Sequence, residues 1–154
     1  MNEKLHFLQV DYRDKLRAIP PTTTPLFGKM NVHQMIEHMT DSFQMATEKI
    51  KPVHEQADEI TDKMKMFMMS EKPFRENTPN PLMSDQPLPT RCSTIEESLN
   101  ELTTEIELFV KQFTNEPGKI VRNPFFGNLN FEEWVHLFYK HAHHHLRQFG
   151  VFDN

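Results

Sequence analysis

The sequence predicts an all-α protein, a four-helix bundle with a long crossover loop between the second and third core helices. Three observations carry this. Four segments repeat apolar residues at helical spacing, no segment alternates as a strand does, and the one proline-dense stretch falls between the second and third of them. With 154 residues, 37% of them hydrophobic and 25% charged, the chain suits one globular domain, read here as residues 1–154.

The first helix is expected over roughly residues 3 to 19, where Leu5, Leu8, Tyr12, Leu16 and Ile19 share a face. Pro20 and Pro21 stop it, and Thr22 to Lys29 is a connector with Pro25 and Gly28 as breakers. The second helix starts after Asn31, a good N-cap residue. Met35, Met39, Ser42 and Ala46 follow on one stripe, with Val32, Ile36 and Phe43 beside them, and Pro52 is expected to end or kink the helix. Glu55 to Ser70 is amphipathic through Ile60, Met64 and Phe67, and reads as an extra helix or a continuation after a bend. Four of the ten methionines lie between Met64 and Met69 and read as packing material.

Residues 71 to 92 hold five prolines (Pro73, Pro79, Pro81, Pro87 and Pro89) and read as the long crossover loop. A domain boundary there is disfavoured, because neither half has enough apolar residues to bury a core alone. The third helix has the clearest signal. Ser93 to Glu96 and Thr94 to Glu97 both fit a capping box, and Ile95, Leu99, Leu102, Ile106, Phe109 and Phe113 form a heptad-like seam. Asn115, Pro117 and Gly118 close it. A turn-rich link with Asn123-Pro124 and Gly127 leads to the fourth helix. Asn130 and Glu133 pair as its cap, Glu132 and Glu133 suit its dipole, and Gly150 stands where a C′ glycine belongs.

Charge and cysteine usage narrow the function. The net charge is -5 with no basic stripe, so no nucleic-acid partner is expected. The single Cys92 precludes an intrachain disulfide and fits a reducing compartment. It precedes a helix N-terminus, but no neighbour in sequence completes a nucleophilic pair, so it reads as an inert thiol. The N-terminal residues lack a signal-peptide core, and no apolar run approaches the roughly 20 residues of a membrane span. The expected location is cytoplasmic, with no membrane partner. A homodimer is the default for a small soluble protein, and the sequence leaves the assembly open.

Nine histidines remain to be explained, four of them between His141 and His145. His141 and His145 are one turn apart on the fourth helix, on the face that carries Trp134, Phe138 and Gln148. Both rings therefore point inward, where bundles build metal sites. A catalytic divalent site commonly takes three protein ligands, and His38 on the second helix is the best third candidate. His144, at the stripe edge, is an alternative ligand. His143 lies on the far side of its helix and reads as solvated, His136 lies off the stripe, and His33 points nearly opposite to the apolar stripe of its own helix and reads as solvent-exposed. Each has a plainer reading too: HxxxH pairs arise by chance in a His-rich run, and a lone His38 is more often a hydrogen-bonded boundary residue.

These residues resemble a family. Met30-Asn31-Val32-His33-Gln34-Met35-Ile36-Glu37-His38-Met39 is similar to the second helix of the DinB/YfiT-like four-helix bundle proteins. His141-Ala142-His143-His144-His145-Leu146-Arg147-Gln148 resembles their final-helix H-x-x-H-H-x-x-Q signature. Asn123-Pro124-Phe125-Phe126-Gly127, Glu132-Glu133-Trp134 and the run from His141 through Gly150 look like a bacterial branch of that superfamily. The resemblance implies a bundle with a divalent metal ion (Zn, Ni, Mn or Fe) at one end, on ligands matching His38, His141 and His145. It also implies a small-molecule substrate, since some relatives are S-transferases or isomerases that use low-molecular-weight thiols such as bacillithiol or mycothiol. The extra neighbours His143 and His144 depart from the pattern and leave the choice between His144 and His145 open.

The leading expectation is a metal-dependent thiol S-transferase, with Gln34, Asp41 and Gln148 as candidates to hold the ligand rings by hydrogen bonds. A metal-dependent hydrolase is the alternative. So is a non-catalytic bundle with a structural metal or a protein partner, or one with no metal at all.

Overall fold

The protein, described by a computed structural model over residues 2–76 and 86–152, is mainly helical. Its opening rod is α1 (Asn2–His6), a π-helical turn (Phe7–Asp11) and α2 (Tyr12–Arg17). The spacing predicts an uninterrupted α-helix, so the π turn is a departure. Its extra residue shifts the phase of the rod, and Phe7 joins Leu8, Tyr12 and Leu16 in the core.

Asn31 caps α3 (Val32–Ala46) through a complete capping box with Gln34. This helix stops well before Pro52, against expectation. Glu48 adopts φ 64°, and the N–H groups of Lys49 and Ile50 both reach the Gln44 carbonyl. A left-handed turn thus satisfies the last carbonyls, and no proline is needed to end the helix.

The segment after it is a separate helix, α4 (Asp58–Met69). The third core helix, α5 (Ile95–Asn115), is capped by Thr94, whose hydroxyl accepts from the Glu97 N–H. Its predicted seam is buried from Leu99 to Phe113, with Ile95 half-buried. The turn-rich link, which carried no strand signal, forms a short antiparallel hairpin, β1 (Val121–Asn123) with β2 (Gly127–Leu129). Three-residue strands are too short to show alternation. What closes the hairpin is local: Asn123 Oδ1 accepts from the N–H groups of Phe125 and Phe126, and Gly127 takes φ 76°.

The last helix, α6 (Phe131–Gln148), opens with the predicted Asn130–Glu133 capping box. It ends in a Schellman motif: Val151 N–H bonds Leu146 O, Gly150 N–H bonds Arg147 O, and Gly150 sits at φ 83°. α1, α3, α4 and β2 all pack on α6, which makes it the centre of the molecule, while α3 and α5 pair along their length. Phe43 of α3 stacks on Phe138 of α6 at 3.8 Å between ring centroids, and Phe109 of α5 meets Phe138 edge-on at 5.1 Å.

Within the crossover, α4 contributes only Thr61 and Met68 to the interior. The predicted stripe of Ile60, Met64 and Phe67 is displaced by one position, because Ile60 and Met64 face outward. Of the methionine cluster only Met68 packs in the core, while Met64, Met66 and Met69 are exposed, Met66 at 77%. Lys140 of α6 secures the C-terminus of α4. Its Nζ donates to the carbonyls of Phe67, Met68 and Ser70 at 3.2, 3.0 and 3.1 Å. At the far end of the crossover, the Glu37 carboxylate accepts from the N–H groups of Arg91 and Cys92 and from the Ser98 hydroxyl. Of the five prolines between residues 71 and 92, Pro79 and Pro81 lie outside the described residues. No described helix is long and apolar enough to cross a membrane.

Candidate metal centre

Two helices bring three imidazoles to one point. α3 supplies His38, and α6 supplies His141 and His145 one turn apart. His141 Nε2 lies 3.1 Å from His38 Nε2 and 2.9 Å from His145 Nε2. One nitrogen from each of the three rings falls within 4.8 Å of the other two. Nitrogens held tetrahedrally at about 2.0–2.1 Å from an ion are spaced about 3.3 Å apart. These two separations are within a few tenths of an ångström of that spacing.

The three rings are neutral. Burial, and then the nearby His144, pushes His38 down to about 4. Burial also holds His141 and His145 well below the ordinary imidazole value, and the neighbouring rings add to it. Neutral imidazole keeps a lone pair for a metal.

Gln148 orients His145. The Gln148 Nε2 donates to the Phe27 carbonyl at 2.9 Å, so its oxygen faces the other way. That oxygen lies 2.8 Å from His145 Nδ1. Nδ1 therefore carries the proton and donates it, leaving the Nε2 lone pair aimed at the other two rings. The connector between α2 and α3 wraps the same glutamine. Leu26 N–H donates to Gln148 O at 2.7 Å, and Gly28 adopts φ 73°. A Cβ at Gly28 would stand 2.7 Å from Gln148 Nε2. The sequence shows Gly28 only as a breaker, and nothing in it ties Phe27 to residue 148.

The other expected residues are placed differently. His144 is not one of the three. Its ring packs against Phe27 at 5.1 Å, Phe74 at 6.1 Å and His145 at 5.0 Å. Burial and the Arg147 charge push it down to about 4, against a hydrogen bond with the backbone of Phe74. The Gln34 amide belongs to the α3 cap and donates to Leu88 O. Asp41 lies 3.1 Å from Arg91, and burial raises its carboxyl pKa while Arg91 opposes. Among the described residues neither makes a hydrogen bond to the three rings.

Three further histidines correct the single-face reading. His33 is not solvated: it bonds Ser98 Oγ at 2.8 Å and approaches the Glu37 carboxylate at 3.2 Å. His143, placed on the far side of its helix, is buried and stacks on Phe7 at 4.6 Å. His136 is buried beside Lys4. The reason is shared. α5 covers the second flank of α3, and the N-terminal rod covers the second flank of α6, so each helix buries more than one stripe.

The sequence profile of the DinB superfamily matches residues 14–149, and the chain belongs to that superfamily. No match was found among curated proteins or among solved structures.

Proposed function

We propose that His38, His141 and His145 hold one divalent ion, of the Zn, Ni, Mn or Fe kind, and that the protein is a metal-dependent enzyme, an S-transferase for low-molecular-weight thiols. The observation that carries the reading is the convergence of three neutral imidazoles, one of them with its tautomer set by Gln148. A bound ion would supply a +2 charge that brings the pKa of a thiol or water ligand toward neutrality. Among the described residues the metal-competent group consists of these three, which leaves a coordination position for an exogenous ligand. A structural site would close that position with a fourth protein ligand, and Asp41 is committed to Arg91 instead.

The protein's own part is positional. α3 and α6 fix the three rings, Gln148 holds the His145 proton on Nδ1, and Phe27 and Phe74 flank His144 next to the cluster. The choice of a thiol over water rests on the superfamily resemblance; the same three ligands would serve a hydrolase. Metal content by elemental analysis, wild type beside His141→Ala, comes first. Near-stoichiometric metal lost in the variant supports the site. Turnover of a bacterial thiol with monochlorobimane by loaded protein supports the transferase. Metal without thiol turnover shifts the reading to a hydrolase, and no metal uptake at all removes it.

A further inference from the structure

Beside the cluster, on the neighbouring stripe of α6, lies a second feature that the metal reading does not use. His136, Tyr139, Lys140, His143 and Arg147 line a cavity of about 150 Å³ that is open to solvent, with Glu71 and Pro73 completing its lining. Cations gather around it. Lys140 and Arg147 line the wall, and Lys4 Nζ donates to Nδ1 of the lining His136 at 2.8 Å. Among the described residues the one carboxylate in its lining is Glu71, whose side chain is 88% exposed. Three cations against one solvated carboxylate, in a chain of net charge -5, is a local reversal of sign.

The donors divide the roles. Lys140, only 9% exposed, gives all three N–H bonds to the carbonyls at the end of α4, so it contributes field rather than contact. Lys4 is engaged by His136 and lies 3.9 Å from Glu71. Arg147 is half-buried, and among the described residues its guanidinium has no ion pair or hydrogen bond. A guanidinium presents a planar fork of donors that matches a carboxylate or phosphate in two parallel bonds. The volume suits a phosphate with a few waters or a short dicarboxylate.

We propose that this cavity binds a small oxyanion, a carboxylate- or phosphate-bearing molecule, with Arg147 as the contacting residue and Lys140 and Lys4 as the supporting charge. The proposal does not depend on the metal reading, because the cavity residues and the three imidazole ligands are different side chains.

The test is titration calorimetry of the full chain at low ionic strength, with inorganic phosphate and, separately, succinate. The expected result is one saturable site, weakened about tenfold in Arg147→Gln, where charge-assisted bonds are lost. Arg147→Lys keeps the charge without the fork and should fall between. His141→Ala should bind the anion as the wild type does. The tighter of the two probes assigns the group recognised, phosphate or carboxylate. Three results overturn the proposal: no saturable binding of either probe, equal binding by Arg147→Gln with its melting temperature unchanged, or binding lost in His141→Ala, which would put the anion at the imidazoles.

Discussion

Replacing Gln148 isolates the support of the metal centre from its ligands. The side chain is 3% exposed and joins two otherwise separate parts, the His145 ring through its oxygen and the Phe27 carbonyl through its nitrogen. Gln148→Met keeps the volume and removes both bonds. The His145 Nδ1–H and the Phe27 carbonyl then lack partners in the interior, at about 1–3 kcal/mol each. The expected loss of folding stability is about 2–6 kcal/mol. Metal affinity should fall separately, by about 10–100-fold, because the ring is free to rotate and to exchange its tautomer; that is about 1.4–2.7 kcal/mol. Gln148→Glu separates the two effects. Its carboxylate still accepts from Nδ1, so metal affinity should stay near wild type, while the Phe27 carbonyl loses its donor and stability falls. The assays are urea denaturation of the apoprotein and competition against a chromophoric chelator. Wild-type metal affinity in Gln148→Met would refute the claim that this amide sets the His145 lone pair.

Three other outcomes follow from the same geometry. Gly28→Ala places a methyl 2.7 Å from Gln148 Nε2 on a backbone at φ 73°; the left-handed conformation alone costs about 1–2 kcal/mol, and both urea stability and metal affinity should drop. Glu37→Gln puts an NH₂ group where the carboxylate accepts from the N–H groups of Arg91 and Cys92 and from the Ser98 hydroxyl, and denaturation should show a loss of about 2–3 kcal/mol. Unchanged stability would show that this carboxylate does not anchor the crossover. For pH, His38 and His144 each fall from 6.5 to about 4 in the folded chain. The unfolded chain binds these protons first, so stability of the apoprotein is retained above about 6.5 and is lost progressively as the pH drops toward about 4. Urea midpoints at pH 7.5 and 5 test the sign, and a higher midpoint at pH 5 contradicts it.

The sequence by itself determined the elements whose signals are local. Asn31 caps α3 and Asn130 pairs with Glu133 as the sequence predicts, because a cap involves only four consecutive residues. The α5 seam was legible for a similar reason: seven-residue periodicity describes one helix against its partners. The pairing of His141 with His145 was legible as one helical turn, and His38 was legible as the best third candidate on the second helix, which the superfamily resemblance also implied.

Only the tertiary structure decided the rest. A helical wheel assumes one buried face, and α6 has several, so His136 and His143 went to the interior against their polarity pattern. The outward turn of Ile60, Met64 and Met66 depends on where α4 lies against α6, a relation that no spacing within α4 contains. Gln148 reaches its partner Phe27 across 121 positions of sequence. The orientation of His145, the close approach at Gly28 and the cationic cavity beside Arg147 all arise from contacts between distant segments. Side-chain periodicity is a property of one element, whereas a buried hydrogen bond needs a donor and an acceptor that the packing of different elements brings within 3 Å or so.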